Sequence, residues 1–309
     1  MIVVGVFMIT LTLSFVSLRL YTSFRVTQKP GLEDWLCIIA LIFSIGHIIS
    51  VLLTSYKSRH MWDVPLSWFM DDFWKIRLCA NLFQALAYPT SRLPILALYL
   101  RLFGEKRGLR IACYLCLPFI LAISLVYITI VSYYCEPLPS EGWHSLEAFT
   151  RCTEVFSWTI IQGSLNVFLD LYILILPLPV IIGLSIPKRA KLGILAVFLT
   201  GFLAVVASVV GPYFRYQLTY THDFNWHEAI YICTIIVEIN VATICSCMSS
   251  CYVFFRHVIE QRKPTRSVDL YDVRRCAGYE LRDVETDAPY HNSTIHRSQS
   301  YHVVYEVHT

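Results

Sequence analysis

Four ionisable residues sit inside long apolar runs of this 309-residue chain: His47, Arg92, Asp170 and Glu238. Four amides lie in the same runs: Gln84, Gln162, Asn166 and Asn240. A charge at the centre of a hydrocarbon layer costs at least ~2.5–3.5 kcal/mol on insertion scales, so such residues persist where they are paired or wetted. Arg92 precedes Arg101 by nine residues. On a helix it lies about 13 Å deeper than Arg101, too deep to reach the interface. Asp170 and Glu238 are the carboxylates at comparable depth. Asn166, one helical turn before Asp170, shares its face. These spacings predict a buried polar network of Arg92, Asn166, Asp170 and Glu238. Its chemistry is either structural ion pairing or a site for a ligand, a proton or an ion.

The elements that must hold these groups are membrane helices. Hydrophobic residues make up 56% of the chain and charged ones 15%, against about 25% charged in soluble domains. Mean hydropathy is +0.56. Seven apolar runs can be read, at 2–18, 35–55, 77–100, 111–133, 156–183, 192–214 and 229–254. Each is long enough to cross ~30 Å of hydrocarbon as helix. The expected fold is an all-α membrane protein, a seven-transmembrane helix bundle over residues 1–257. A cytoplasmic, disordered tail is expected over 258–309, where apolar periodicity stops.

Basic residues set the orientation. With the N-terminus outside, the inner connections and tail hold 18 of the 25 Lys and Arg. Arg19, Arg25 and Lys29 fall in the first inner connection, and Arg101 begins the second. The outer connections hold six, Arg215 among them. Trp62, Trp68, Trp74, Trp143, Trp158 and Trp226 collect at the outer interface, where indole rings prefer to sit. The sequon at Asn292 then faces the cytoplasm. The net charge of +3 is small and dispersed, which argues against a nucleic-acid partner.

On the outer side, Cys135 and Cys152 lie in a loop and Cys79 sits near the outer end of the third run. A disulfide is expected on this oxidising side. Cys135–Cys152 is favoured, with Cys79 to either as the alternatives. His60, Trp62 and Asp63 would form an outer mouth with that loop. A metal site drawn from His60, Asp63, His222, Asp223 and His227 is the weakest reading. No H-E-x-x-H, P-loop, G-x-S-x-G or dinucleotide glycine pattern occurs, so an enzyme is not expected. No lysine lies in the core of a run, which leaves retinal without an attachment point. No cofactor is expected.

Several stretches resemble a known family. They are "GLEDW" (Gly31–Trp35), "RHMWDV" (Arg59–Val64), "SRLPILALYLRLF" (Ser91–Phe103), "CEP…W…C" (Cys135, Trp143, Cys152) and "DLYILILPLP" (Asp170–Pro179), with Glu238 in the last run. Together they resemble the fungal integral-membrane rhodopsin-domain family, also called the SAT4 family, which overlaps the Pth11-like seven-helix proteins. The resemblance covers roughly residues 15–257. Arg92 stands where the family usually has Lys, and Pro94 where it has Ser. The family's arginine late in the sixth run is missing at "VVGPY". The resemblance implies seven-helix, receptor-like architecture without retinal, and a fungal source.

The expected function is therefore a receptor-like protein of the plasma membrane, sensing an extracellular small molecule or surface cue. The alternative is a transporter or accessory membrane component of fungal secondary metabolism. Expected partners are the lipid bilayer, a small-molecule ligand, and a cytoplasmic signalling partner at the inner loops and tail.

Overall fold

The computed structural model describes residues 1–65, 71–104, 106–137, 150–152, 154–179, 188–220 and 223–262. Trp68, Trp143, His222, Asn292 and the tail from 263 lie outside these residues. The compact unit is Met1–Arg262.

Among the described residues the long elements are seven α-helices: α1 (Ile2–Tyr21), α2 (Leu32–Leu53), α3 (Asp71–Phe103), α4 (Arg107–Cys135), α5 (Val155–Ile175), α6 (Lys188–Tyr220) and α7 (Phe224–Arg262). Six are long and apolar enough to cross a bilayer. α3, which carries Lys75, Arg77, Arg92 and Arg101, is the polar one. α2 packs on α3, α6 on α7, α5 on α6, α1 on α7, and α3 on both α4 and α7. The bundle is apolar outside and polar inside. Leu125, Val126, Leu199 and Phe202 are exposed, while Arg92, Asp170 and Glu238 are buried. Lipid rewards that arrangement, because hydrocarbon solvates leucine but not a guanidinium.

Local chemistry sets the helix ends. Pro30 follows a single turn of π-helix, Thr22–Thr27, that ends α1. Gly31 then caps α2, whose first turn carries Glu33 and Asp34, where acidic groups favour the helix dipole. The Gly31 amide donates to Asp34 Oδ2 at 3.0 Å. A Cβ on Gly31 would strike the Glu33 carboxylate and the Arg101 guanidinium. α5 stops at Ile175, just ahead of Pro177 and Pro179, because proline removes a donor and crowds the preceding turn.

Three sequence expectations are corrected by helix length. α3 starts at Asp71 rather than 77 and runs unbroken through Pro89 and Pro94. α5 ends at Ile175, and residues 180–183 of its apolar run lie outside the described residues. α6 continues past 214 to Tyr220, so Arg215 belongs to a helix and not to an outer connection. α7 continues to Arg262, so residues 258–262 belong to it and not to the tail. Composition marks where apolar residues stop, whereas backbone hydrogen bonding carries a helix on through polar end turns.

Cys135 and Cys152 are joined, with Cα atoms 4.5 Å apart, and Cys79 is free and exposed. Closing a loop of 17 residues' separation is worth about 3 kcal/mol in the chain-entropy account. Cys135→Ser is expected to lower stability by about that amount, read as a lower thermal midpoint in detergent. Cys79→Ser should leave the midpoint unchanged.

Candidate functional site

The centre of the bundle holds a four-charge network. Arg92 of α3 grips Asp170 of α5 with two parallel bonds, Nε to Oδ1 at 2.6 Å and Nη2 to Oδ2 at 2.8 Å. Its Nη2 also reaches Glu238 Oε1 of α7 at 3.2 Å, and its Nη1 donates to the Tyr88 carbonyl at 3.1 Å. Bidentate guanidinium–carboxylate bonds are the stronger, geometrically specific kind. Tyr88, one turn before Arg92, donates its hydroxyl proton to Glu238 Oε2 at 2.9 Å. Arg215 of α6 donates from Nη2 to the Tyr88 hydroxyl oxygen at 2.8 Å, 3.7 Å from Glu238 Oε2. Ser208, two turns before Arg215, donates to Asp170 Oδ2.

All six side chains are at least nine-tenths buried. Two guanidiniums face two carboxylates, so the network is neutral as a unit and ties α3, α5, α6 and α7 together. Burying four isolated charges would be prohibitive; mutual pairing with added hydroxyl donors is what makes such burial tolerable. Gly163 of α5 provides the space, since a Cβ there would fall on the Arg215 guanidinium.

The structure thus brings Arg92, Asp170 and Glu238 together. Asn166 is buried one turn from Asp170, but its Nδ2 has no hydrogen-bond partner among the described residues. It stands beside the network rather than in it. Gln84 Nε2 and Gln162 Oε1, one turn from Tyr88 and from Asn166 respectively, are buried and likewise unpartnered. His47 lies elsewhere, its Nδ1 3.1 Å from the Ala80 carbonyl. Asn240 joins α7 to α1 and α2, accepting from Thr12 at 2.8 Å and Ser44 at 3.2 Å.

Sequence reasoning missed Tyr88, Ser208 and Arg215. Helical spacing carried a signal for each. Tyr88 is four residues from Arg92, and Ser208 is seven from Arg215, so each pair shares a face.

A second buried cluster lies where α1 meets α2. Arg19 donates to Asp34 Oδ1 at 2.9 Å and to the Ser246 carbonyl of α7 at 2.5 Å. Ser23 donates to Asp34 Oδ2. Arg101 pairs with Glu33 and donates to the Lys29 carbonyl at 3.2 Å. Arg19 is 1% exposed, so it is a clasp between α1, α2 and α7 and not a boundary charge.

At the other end, His60 is stacked between Trp62 and Trp226, with ring centroids 4.7 and 4.6 Å away. Its Nδ1 lies 2.5 Å from Asp223 Oδ2, and the Met61 amide donates to Asp223 Oδ1 at 3.0 Å. His60 and Trp62 therefore do meet, through residues at the start of α7. Asp63 is exposed, and its amide donates to the His60 carbonyl at 2.9 Å. Among the described residues, no three His, Cys, Asp or Glu side chains gather as a metal would require.

Burial alone would raise the Asp223 pKa; the hydrogen bonds from His60 and the Met61 amide outweigh it and hold the carboxyl below its usual range. A folded pKa below the unfolded one stabilises fully above about pH 4 and is lost as pH falls through the folded value. Asp223→Asn is expected to lower the thermal midpoint at neutral pH. Its difference from the parent protein should shrink as the pH is taken below about 4.

Comparison with known proteins agrees with this architecture. The fungal rhodopsin domain family matches residues 18–257, and the chain belongs to that family. It is 26% identical to a SAT4 family membrane protein of Emericella nidulans over 234 residues, 73% of this chain and 58% of the relative. It is 28% identical to wortmanamides biosynthesis cluster protein C of Talaromyces wortmannii over 69% of this chain and 58% of the relative. It is 22% identical to polyenoic acids biosynthesis gene cluster protein Ba17b of Metarhizium anisopliae over 81% of this chain and 71% of the relative. The chain thus spans 58% of the length of the first two. No solved structure matches it significantly. Family and apolar helices together make this an integral, multi-pass membrane protein.

Proposed function

We propose that this is a receptor-like seven-helix protein of the plasma membrane, with α3 as a span beside the six apolar ones. The N-terminus lies outside and the C-terminus inside, as the excess of basic residues on the α1–α2 and α3–α4 connections favours. The protein acts by binding and shape change rather than catalysis, and needs no cofactor.

The observation that carries this reading is the neutral network of Arg92, Asp170, Arg215 and Glu238. It couples four helices through groups that can exchange partners without changing net charge, which is what a two-state element requires. A small extracellular molecule has polar anchors in Gln84, Gln162 and Asn166. Each unsatisfied buried group costs about 1–3 kcal/mol, which a hydrogen-bonding ligand would relieve. The signalling partner would meet the inner loops and tail.

The test replaces the native allele with Glu238→Gln in the source organism. The expected result is normal surface abundance with loss of the transcriptional response to external cues. An unchanged response at normal abundance overturns the reading. The second reading, a transporter or accessory component of secondary metabolism, is favoured by the relatives named for biosynthesis clusters. Impaired metabolite export with the response intact would support it.

A further inference from the structure

The helices do not close at the end where the α1–α2 and α3–α4 connections lie. A cavity of about 490 Å³ opens there, within the ~300–1,000 Å³ typical of small-molecule sites. It runs along α3 from Ser91 to Arg101 and along α7 from Ala242 to Val253. Its walls are chiefly apolar, with Ile95, Leu98, Leu174 and Phe198 among them. The Arg92–Asp170 pair forms its floor. Nine residues of helix separate Arg92 from Arg101, about 13 Å. An extended alkyl chain of about ten carbons spans that distance, with C–C bonds of about 1.5 Å in zigzag.

The charge at the mouth is not balanced. The three carboxylates that line the cavity are spent on internal donors. Asp34 accepts from Arg19, Ser23 and the Gly31 amide. Asp170 accepts two bonds from Arg92 and one from Ser208. Glu33 is 4% exposed and engaged by Arg101. Arg101, with its side chain 43% exposed, uses two of five donors on Glu33 and the Lys29 carbonyl. Lys29 is exposed beside it. The lining therefore carries one positive charge more than its carboxylates offset, with the Lys29 ammonium and the remaining Arg101 donors at the mouth, and the interior offers apolar wall leading to the Arg92–Asp170 pair.

We propose that this cavity binds an amphipathic organic anion. The ligand is an unbranched apolar chain of about ten carbons bearing one carboxylate or phosphate. The head sits at Lys29 and Arg101, and the chain runs inward to the Arg92–Asp170 pair. Two sources share this chemistry, a free medium-chain carboxylate and an anionic phospholipid of the adjoining leaflet that inserts only part of one acyl chain. The head-group contacts lie at the opposite end from His60 and Trp62, and the proposal does not depend on the receptor reading.

The test uses the full chain in phosphatidylcholine nanodiscs and decanoic acid carrying a terminal diazirine. Irradiation is expected to label peptides within 91–101 and 242–253 saturably. Decanoate should compete about tenfold better than decanol, because a cationic head contact of about 1.4 kcal/mol is tenfold in affinity. Carboxylates beyond about twelve carbons should lose potency at equal membrane concentration, since the chain would run into the bonded Arg92–Asp170 pair. Lys29→Gln, an exposed substitution, should weaken labelling several-fold at unchanged thermal midpoint, and Ala242→Phe should abolish it by filling the wall. Displacement of the probe when a third of the lipid is phosphatidylglycerol identifies the leaflet as the source; no displacement identifies the free carboxylate. Labelling spread equally over lipid-facing positions such as Leu125 and Val206, or equal competition by decanol, overturns the proposal.

Discussion

Arg92→Met is expected to cost about 3–5 kcal/mol, the range for breaking a buried ion pair by removing one partner. The loss would appear as a collapse of folded yield in detergent. The reason is electrostatic imbalance rather than lost packing, for methionine fills much of the same volume. With Arg92 gone, Asp170 keeps only Ser208 as a hydrogen-bond donor among the described residues, and Arg215, beside Glu238, is the one cation left in the network for two carboxylates. Arg92→Met with Asp170→Leu restores neutrality and should recover most of the loss, because buried pairs replaced by apolar groups of similar size are often neutral. Arg92→Lys should fold, since a point charge still neutralises the site, but with weaker hold on Asp170 for want of the bidentate fork. A double-mutant cycle over Arg92 and Asp170 measures the coupling directly. Strict additivity would show that the pair contributes nothing beyond its members.

Asp34→Ala is expected to have the next largest effect, again about 3–5 kcal/mol. Asp34 takes three hydrogen bonds, from Arg19, Ser23 and the Gly31 amide. Its removal strands Arg19 against one carbonyl, Ser246 of α7. It also frees the N-terminus of α2 of its cap, a loss of typically ~1 kcal/mol within that total. The readout is twofold, a lower thermal midpoint and faster proteolysis within 22–31, the segment that the clasp ties down. Asp34→Asn keeps one acceptor oxygen and should fall between the two. A double change, Arg19→Leu with Asp34→Leu, should be less damaging than Asp34→Ala, because no charge is left buried alone.

Much of this architecture is written in composition. Bilayer thickness imposes a length on every apolar run, so runs of ~20 residues announce themselves without knowledge of contacts. Arg92, Asp170 and Glu238 stand out for the same reason: hydrocarbon makes their cost high, and they are sparse. The motifs around Gly31, Arg59 and Asp170 carried the family. Where a run ends was less legible. Arg215 follows Gly211 and Pro212 among tyrosines, so composition reads the boundary at 214, yet the helix hydrogen bonds continue to Tyr220 and bury the arginine. Arg19 was hidden in the same way, at an end that proved to be interior.

The sequence by itself determined the membrane class, the helical elements and the rare charges that need partners, because each follows from one-dimensional length and the solvation cost of single residues; its motifs carried the resemblance to the family. Which partners meet was decided only by the tertiary structure. That Arg215 completes a neutral set with Glu238, that Ser208 and not Asn166 bonds Asp170, and that Asp34 holds Arg19 all depend on how four or five helices rotate against one another. A rotation of one residue position, 100° on an α-helix, would turn any of these side chains into lipid without altering the hydropathy pattern that announced the helix.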